Sequence, residues 1–360
     1  MATRREFLAV SAGALAAYAA GLKADIKPAS KPLEILFLGG TGFLGPHQIN
    51  HALARGHKVT MFNRGRNAGM YGDAVEELVG NRDDNVDEGL NALRGDRRWD
   101  VIVDNSGYVP RHVRDSVALL KNRCDRYVYV STVAVYELSK GGTFSESSKL
   151  AKLEDPTVEE VTGETYGPLK AACDLIVQQE LGDQATIVRP TFVVGPGDHT
   201  DRFTYWAVRV NRGGEVLAPG GPDLTAQWVD ARDLCPWIVS LAEQGTPGIF
   251  NAAGPAYTRE GLMWGLRALT DKDVEFVWPS MDLLEETEFN TPMMYREMNV
   301  KFENSASTGA GLHYRALADS ASDTIEWWQA QTEERRSKAR GWETPEREQE
   351  VIARARQSTA

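Results

Sequence analysis

The chain has 360 residues, 42% of them hydrophobic and 25% charged, an ordinary globular balance that admits one large domain or two of average size. Its formal net charge of -11 comes from scattered acids, which favours solubility and argues against a nucleic-acid partner. Cys124, Cys173 and Cys235 are too few and too far apart for a disulfide framework or a metal knuckle, and no histidine has the carboxylate company of a metal site, so no metal is expected.

In chain order, Arg4-Arg5-Glu6-Phe7-Leu8 places two arginines before an apolar run from Ala9 to Leu22. This resembles a twin-arginine export signal over residues 1–24, with a linker carrying Pro28 over residues 25–32. The run is short and alanine-rich for a membrane span, which takes about 20 apolar residues, so no stable span is expected. The expectation is an exported protein, periplasmic or extracellular, handled by the twin-arginine machinery; if the signal is not used, the location is cytoplasmic.

Leu33 to Leu38 reads as a buried strand that runs into Gly39-Gly40-Thr41-Gly42-Phe43-Leu44-Gly45, and a helix can follow from His47 to Arg55. Glycines at this spacing let the turn tighten, bring backbone close to a pyrophosphate, and aim a helix N-terminus at its charge. A second strand, Lys58 to Phe62, ends at Asn63-Arg64-Gly65-Arg66. No acid stands there to take ribose hydroxyls, whereas Arg64 and Arg66 could accept a 2′-phosphate, so NADP is slightly favoured over NAD. Further strands read at residues 75–79, 101–103, 127–130 and 185–188, separated mostly by helical stretches. That alternation predicts an α/β fold, a Rossmann doubly wound parallel sheet over residues 33–195 that is completed by about 227–253. Asn81 and Arg82 would flank the adenine, and Asn105, Ser106 and Gly107 would line the cofactor edge.

Tyr166-Gly167-Pro168-Leu169-Lys170 puts a phenol and an ammonium on one helical face. It follows a strand ending in Ser131-Thr132-Val133-Ala134-Val135-Tyr136 and precedes one ending in Arg189-Pro190-Thr191. With these motifs the chain resembles the extended short-chain dehydrogenase/reductases, the NAD-dependent epimerase/dehydratase family. The resemblance implies Thr132 as the catalytic hydroxyl, Tyr166 as the acid/base and Lys170 as the residue that orients the nicotinamide ribose. Ser131 and Pro190 then join the cofactor-binding set. A tyrosine ordinarily titrates near 10, so such a base needs about 4 kcal/mol of help from positive charge nearby.

Residues 196–226 and 254–345 read as a smaller, mainly helical substrate-binding region, and residues 346–360 as a C-terminal tail. Arg202 and Trp228 are the expected substrate contacts. Family members that use nucleotide sugars commonly carry an arginine before the returning strand, where this chain has Leu224-Thr225-Ala226-Gln227, so an uncharged sugar-like or other polyhydroxylated alcohol or carbonyl compound is expected. The expected activity is that of an NAD(P)-dependent oxidoreductase or epimerase working by tyrosine-assisted hydride transfer, with the nucleotide tightly held because export carries folded protein past the cytoplasmic supply. The resemblance also hints at a homodimer through helices around residues 111–122 and 166–181. Two alternatives stay open: an RNA-binding member, since the glycine loop, Asn63-Arg64-Gly65 and the tyrosine-lysine helix also resemble chloroplast stem-loop binding proteins, and a cofactor-binding protein without catalysis.

Overall fold

The computed structural model describes residues 26–294 and 297–358, so the leader expected over residues 1–24 lies outside the described residues. The central elements in chain order are β1 (Glu34–Leu38), α1 (Leu44–Ala54), β2 (Lys58–Asn63), β3 (Val75–Val79), β4 (Trp99–Asp104), α2 (Pro110–Leu120), β5 (Cys124–Val130), α3 (Tyr166–Leu181), β6 (Ala185–Pro190) and β7 (Gly248–Ala252).

They form a seven-stranded sheet in the order β7-β6-β5-β4-β1-β2-β3. The pairings β1 with β2 and β4, β2 with β3, and β5 with β4 and β6 are all parallel. The apolar runs explain this choice: β1 buries Ile35, Phe37, Leu36 and Leu38, on both faces of the sheet, as a strand covered by helices on each side must. Ile102, Tyr127 and Ile187 from three strands share one core with Val113 and Val117 of α2 and Cys173 and Val177 of α3. Each such side chain stabilises the fold by about 1.5–3 kcal/mol relative to exposure. Strand order reverses between β1 and β4, which opens a crevice beyond their C-terminal ends, where Gly39 and Asn105 follow.

The chain divides into two compact units. The first holds residues up to 135 with 152–188 and 235–249; the second holds 136–151, 189–234 and 250–360. The boundary therefore differs from the expected 33–195, because residues 136–151 leave the first unit. There the strand Gly142–Phe144 pairs in parallel with Val300–Phe302, far along the chain, and a strand pairing that distant has no local signature.

The second unit carries the helix Arg202–Arg212, four short two-stranded sheets and a helical C-terminal region. Phe203, Trp206, Val210, Leu262 and Met263 form its core. The expected tail is corrected: Pro345–Ser358 is a helix whose Val351 and Ile352 pack with Leu217, Leu284 and Phe289. Glu348 fixes it, accepting from Arg209 Nε at 2.6 Å and from the Leu217 amide at 3.0 Å. Among the described residues no helix is long and apolar enough to cross a membrane.

Candidate active site

The loop after β1 is shaped by close approaches that only glycine permits. A Cβ on Gly45 would stand 2.3 Å from the Gly40 carbonyl oxygen, so α1 begins directly against the turn. Gly42, by contrast, faces open space, with nothing within 4 Å of where its Cβ would be. The first turn of α1 has no side-chain cap, and the positive end of the helix dipole lies at that turn. The Tyr71 hydroxyl donates to Gly40 O at 2.8 Å and holds the loop from one side.

Beyond β4, Asn105 donates through Nδ2 to Gly39 O at 3.2 Å and to Gln48 Oε1 at 2.6 Å, while its buried Oδ1 has no hydrogen-bond partner. The buried Ser131 hydroxyl beyond β5 has none either. Unpaired buried polar atoms are costly unless something fills the need. Ser106 is turned to the protein, donating to Leu38 O at 3.0 Å.

Arg82, expected to flank the adenine, turns inward to a buried carboxylate. Its guanidinium grips Asp104 at 2.6 and 3.0 Å and reaches Ser106 and Ser116 at 3.1 and 2.8 Å. Burial pushes the Asp104 carboxyl up, but the Arg82 charge and the hydrogen bonds of Arg82, Tyr127 and Ser106 prevail, and it is held below its ordinary range. Asn81 stays near the surface, with Nδ2 3.3 Å from Asp87 Oδ2. At the end of β2, Asn63 accepts from the Gly65 amide at 2.5 Å and donates to Glu77 at 2.9 Å, which shapes a turn that leaves Arg64 and Arg66 exposed.

Thr132, Tyr166 and Lys170 belong to the same unit. Thr132 Oγ1 accepts from the Ala134 amide at 3.2 Å, in a turn that leaves its own O–H to donate elsewhere. Tyr166 opens α3, and Gly167 lets that first turn press on the Thr132 turn: a Cβ there would meet Ala134 O at 2.3 Å. One turn on, the buried Lys170 Nζ donates to Gly107 O and Val130 O, each at 2.8 Å. It lies 4.2 Å from the Tyr129 ring centroid and 5.2 Å from that of Tyr108. Burial lowers the ammonium to about 8, and the neighbouring Cys173, Asp174 and Asp104 only partly oppose this. The Tyr108 and Tyr166 rings stand 6.3 Å apart. Tyr71 and Tyr108 belong to this region without having been expected from the sequence. Tyr108 directly follows Gly107 at a strand end, a usable signal, whereas Tyr71 sits in a loop with no periodicity to mark it.

In the second unit, Arg202 begins its helix with Nε donating to Thr200 at 3.0 Å and its guanidinium over Phe192. Trp228 is buried, stacked on Tyr257 at 5.0 Å and tilted against Phe203 at 5.7 Å, so much of its surface is already spent on packing. Pro190 is the buried last residue of β6. Gln227, in the place where a clamping arginine was looked for, is absorbed by the backbone of Gly254 and Phe302.

An open glycine turn facing an uncapped helix, set at the reversal point of a parallel sheet beside a tyrosine and a buried lysine, defines a Rossmann-type dinucleotide-binding enzyme. The sequence model of the NAD dependent epimerase/dehydratase family matches residues 35–253, and the chain belongs to that family. Among solved structures it is similar to a UDP-glucuronic acid 4-epimerase from Bacillus cereus in complex with NAD, at 14% identity and TM-score 0.60 over 83% of this chain and 100% of that one. It is likewise similar to a dTDP-glucose 4,6-dehydratase from Bacillus anthracis in complex with NAD, at 18% identity and TM-score 0.61 over 84% and 98%. A curated relative, the chloroplast stem-loop binding protein of 41 kDa b from Arabidopsis thaliana, is 25% identical over 253 residues, 65% of this chain and 62% of the relative. This chain thus matches less than two thirds of that relative's length. The nicotinamide dinucleotide that the family implies fits the residues present: the open side of Gly42 and the unpaired Asn105 and Ser131 oxygens are where a polar ligand would find room and partners.

Proposed function

We propose that the protein is an NAD(P)-dependent oxidoreductase or epimerase that acts on a sugar-like or otherwise polyhydroxylated alcohol or carbonyl substrate. The observation that carries this reading is the Tyr166–Lys170 pair on α3, pressed against the Thr132 turn at the same sheet edge as the glycine loop. The residues from Gly39 to Gly45, with Asn105 and Ser131, would hold the dinucleotide, and Lys170 would orient its ribose. The nicotinamide, when bound, supplies hydride exchange at a carbinol or carbonyl carbon.

The chain's own part is proton management. Tyr166 Oη exchanges a proton with the substrate oxygen, Thr132 Oγ1 donates to that oxygen and keeps it in line, and the positive charge of Lys170 favours the phenolate. Replacing Tyr166 by Phe should abolish turnover with nucleotide still bound; turnover retained in that variant refutes the assignment. The export-type leader supports a periplasmic or extracellular protein that leaves the cytoplasm folded with its nucleotide in place. Arg64 and Arg66, exposed beside a strand end without an acid, favour NADP, although the solved relatives named above are complexes with NAD. The two Bacillus enzymes act on nucleotide sugars by name; the lack of an arginine at Leu224 to Gln227 favours an uncharged substrate here.

A second reading, that of an RNA-binding member, rests on the plant relative, which by name is a stem-loop binding protein. A salt-dependent mobility shift of a stem-loop RNA by the mature protein supports it, and none at low salt removes it.

A further inference from the structure

Tyr108 stands beside the acid/base pair without a part in the chemistry just described. Its ring centroid is 6.3 Å from that of Tyr166, and Lys170 Nζ lies over the ring at 5.2 Å. It is 45% exposed, in a chain whose large hydrophobic side chains are mostly buried. Rigid neighbours fix it. Gly107, directly before it, is pinned through its carbonyl by both Lys170 and the Tyr129 hydroxyl, the latter at 2.6 Å. Pro110 starts α2 two residues later and holds Val109 extended. Burial and the Asp104 charge raise the phenol above its ordinary range, so near neutrality the ring is uncharged.

A neutral aromatic face carries negative charge density and attracts weakly positive C–H groups, and Lys170 behind the ring repels a cation. An open-chain polyol presents no continuous C–H face, whereas a pyranose does. We infer that Tyr108 is a specificity-determining residue whose exposed surface stacks on the apolar face of a cyclic sugar held beside Tyr166. The inference rests on the oxidoreductase reading and narrows its substrate to a neutral pyranose or pyranoside.

The test is saturation-transfer NMR on the purified, nucleotide-containing protein with methyl β-galactopyranoside and, separately, galactitol. Transfer should concentrate on the H3, H4 and H5 protons of the pyranoside, persist in Tyr108→Phe, and weaken about five- to tenfold in dissociation constant in Tyr108→Ala. Where turnover is measured, Tyr108→Ala should raise KM with kcat nearly unchanged, the pattern of lost binding without lost chemistry. Equal transfer to galactitol, an unaffected Tyr108→Ala variant, or no binding of either compound overturns the inference. Nucleotide content and the Tyr166→Phe result are read on the same preparations, so the oxidoreductase reading stands or falls separately.

Discussion

Lys170 Nζ donates to the carbonyl oxygen of Gly107 at 2.8 Å, tying the second turn of α3 to the loop that leaves β4. With Val130 O also at 2.8 Å, two of the three ammonium protons are spent on backbone. The lysine is therefore held in place before any nucleotide arrives.

Because burial depresses Lys170 to about 8, below the usual lysine range, the ammonium is complete well below that pH and is lost as pH rises through it. Dinucleotide affinity should weaken about tenfold per pH unit above this point, if the charge is needed for binding. Lys170→Met should bind weakly and without that pH dependence. Titration calorimetry between neutral and mildly alkaline pH checks both.

Arg82→Met should leave the fully buried Asp104 carboxylate without its cation, at a cost of about 3–5 kcal/mol. Since Asp104 is held below its ordinary value, the stability it brings is present above the unfolded carboxylate range and disappears as pH falls through the lowered value. Chemical denaturation of the wild type from neutral to acid pH should show that loss, and the variant should show less of it.

Gly45→Ala should fold but hold no nucleotide. Its Cβ, 2.3 Å from Gly40 O, would force the turn away from the helix start, where the proposed function puts the phosphates. Absorbance of the purified variant, compared with wild type, reports bound nucleotide directly; equal content would mean that the turn does not carry the phosphates.

Arg64→Ala should weaken NADP by about 1–2 kcal/mol and leave NAD almost unchanged, as expected for loss of one phosphate contact. Competition between the two nucleotides on emptied protein measures it. Identical losses for both would place Arg64 outside the ribose site.

Much of this was legible in the sequence because it is local. The run Leu33 to Leu38, the glycine spacing and the four-residue step from Tyr166 to Lys170 each declare themselves within a few residues. The Arg82–Asp104 pair does not, since 22 residues separate partners that meet only once β3 and β4 are in the sheet. The helix Pro345–Ser358 was read as a tail because its surface is rich in Glu and Arg and few of its side chains are buried. What holds it is Arg209, 139 residues earlier, and no periodicity within the segment could announce that partner. Residues 136–151 leave the first unit for a similar reason: the strand Gly142–Phe144 finds its partner at Val300–Phe302.

On the proposed function, the residues beyond β1 and β4 hold a nicotinamide dinucleotide tightly enough for it to survive purification. Mass spectrometry of the small molecules released on denaturing the native protein tests this most directly. NADP or NAD, oxidised or reduced, should be released at close to one per chain; a preparation that releases no dinucleotide and takes up none when it is supplied in millimolar excess refutes the proposed function.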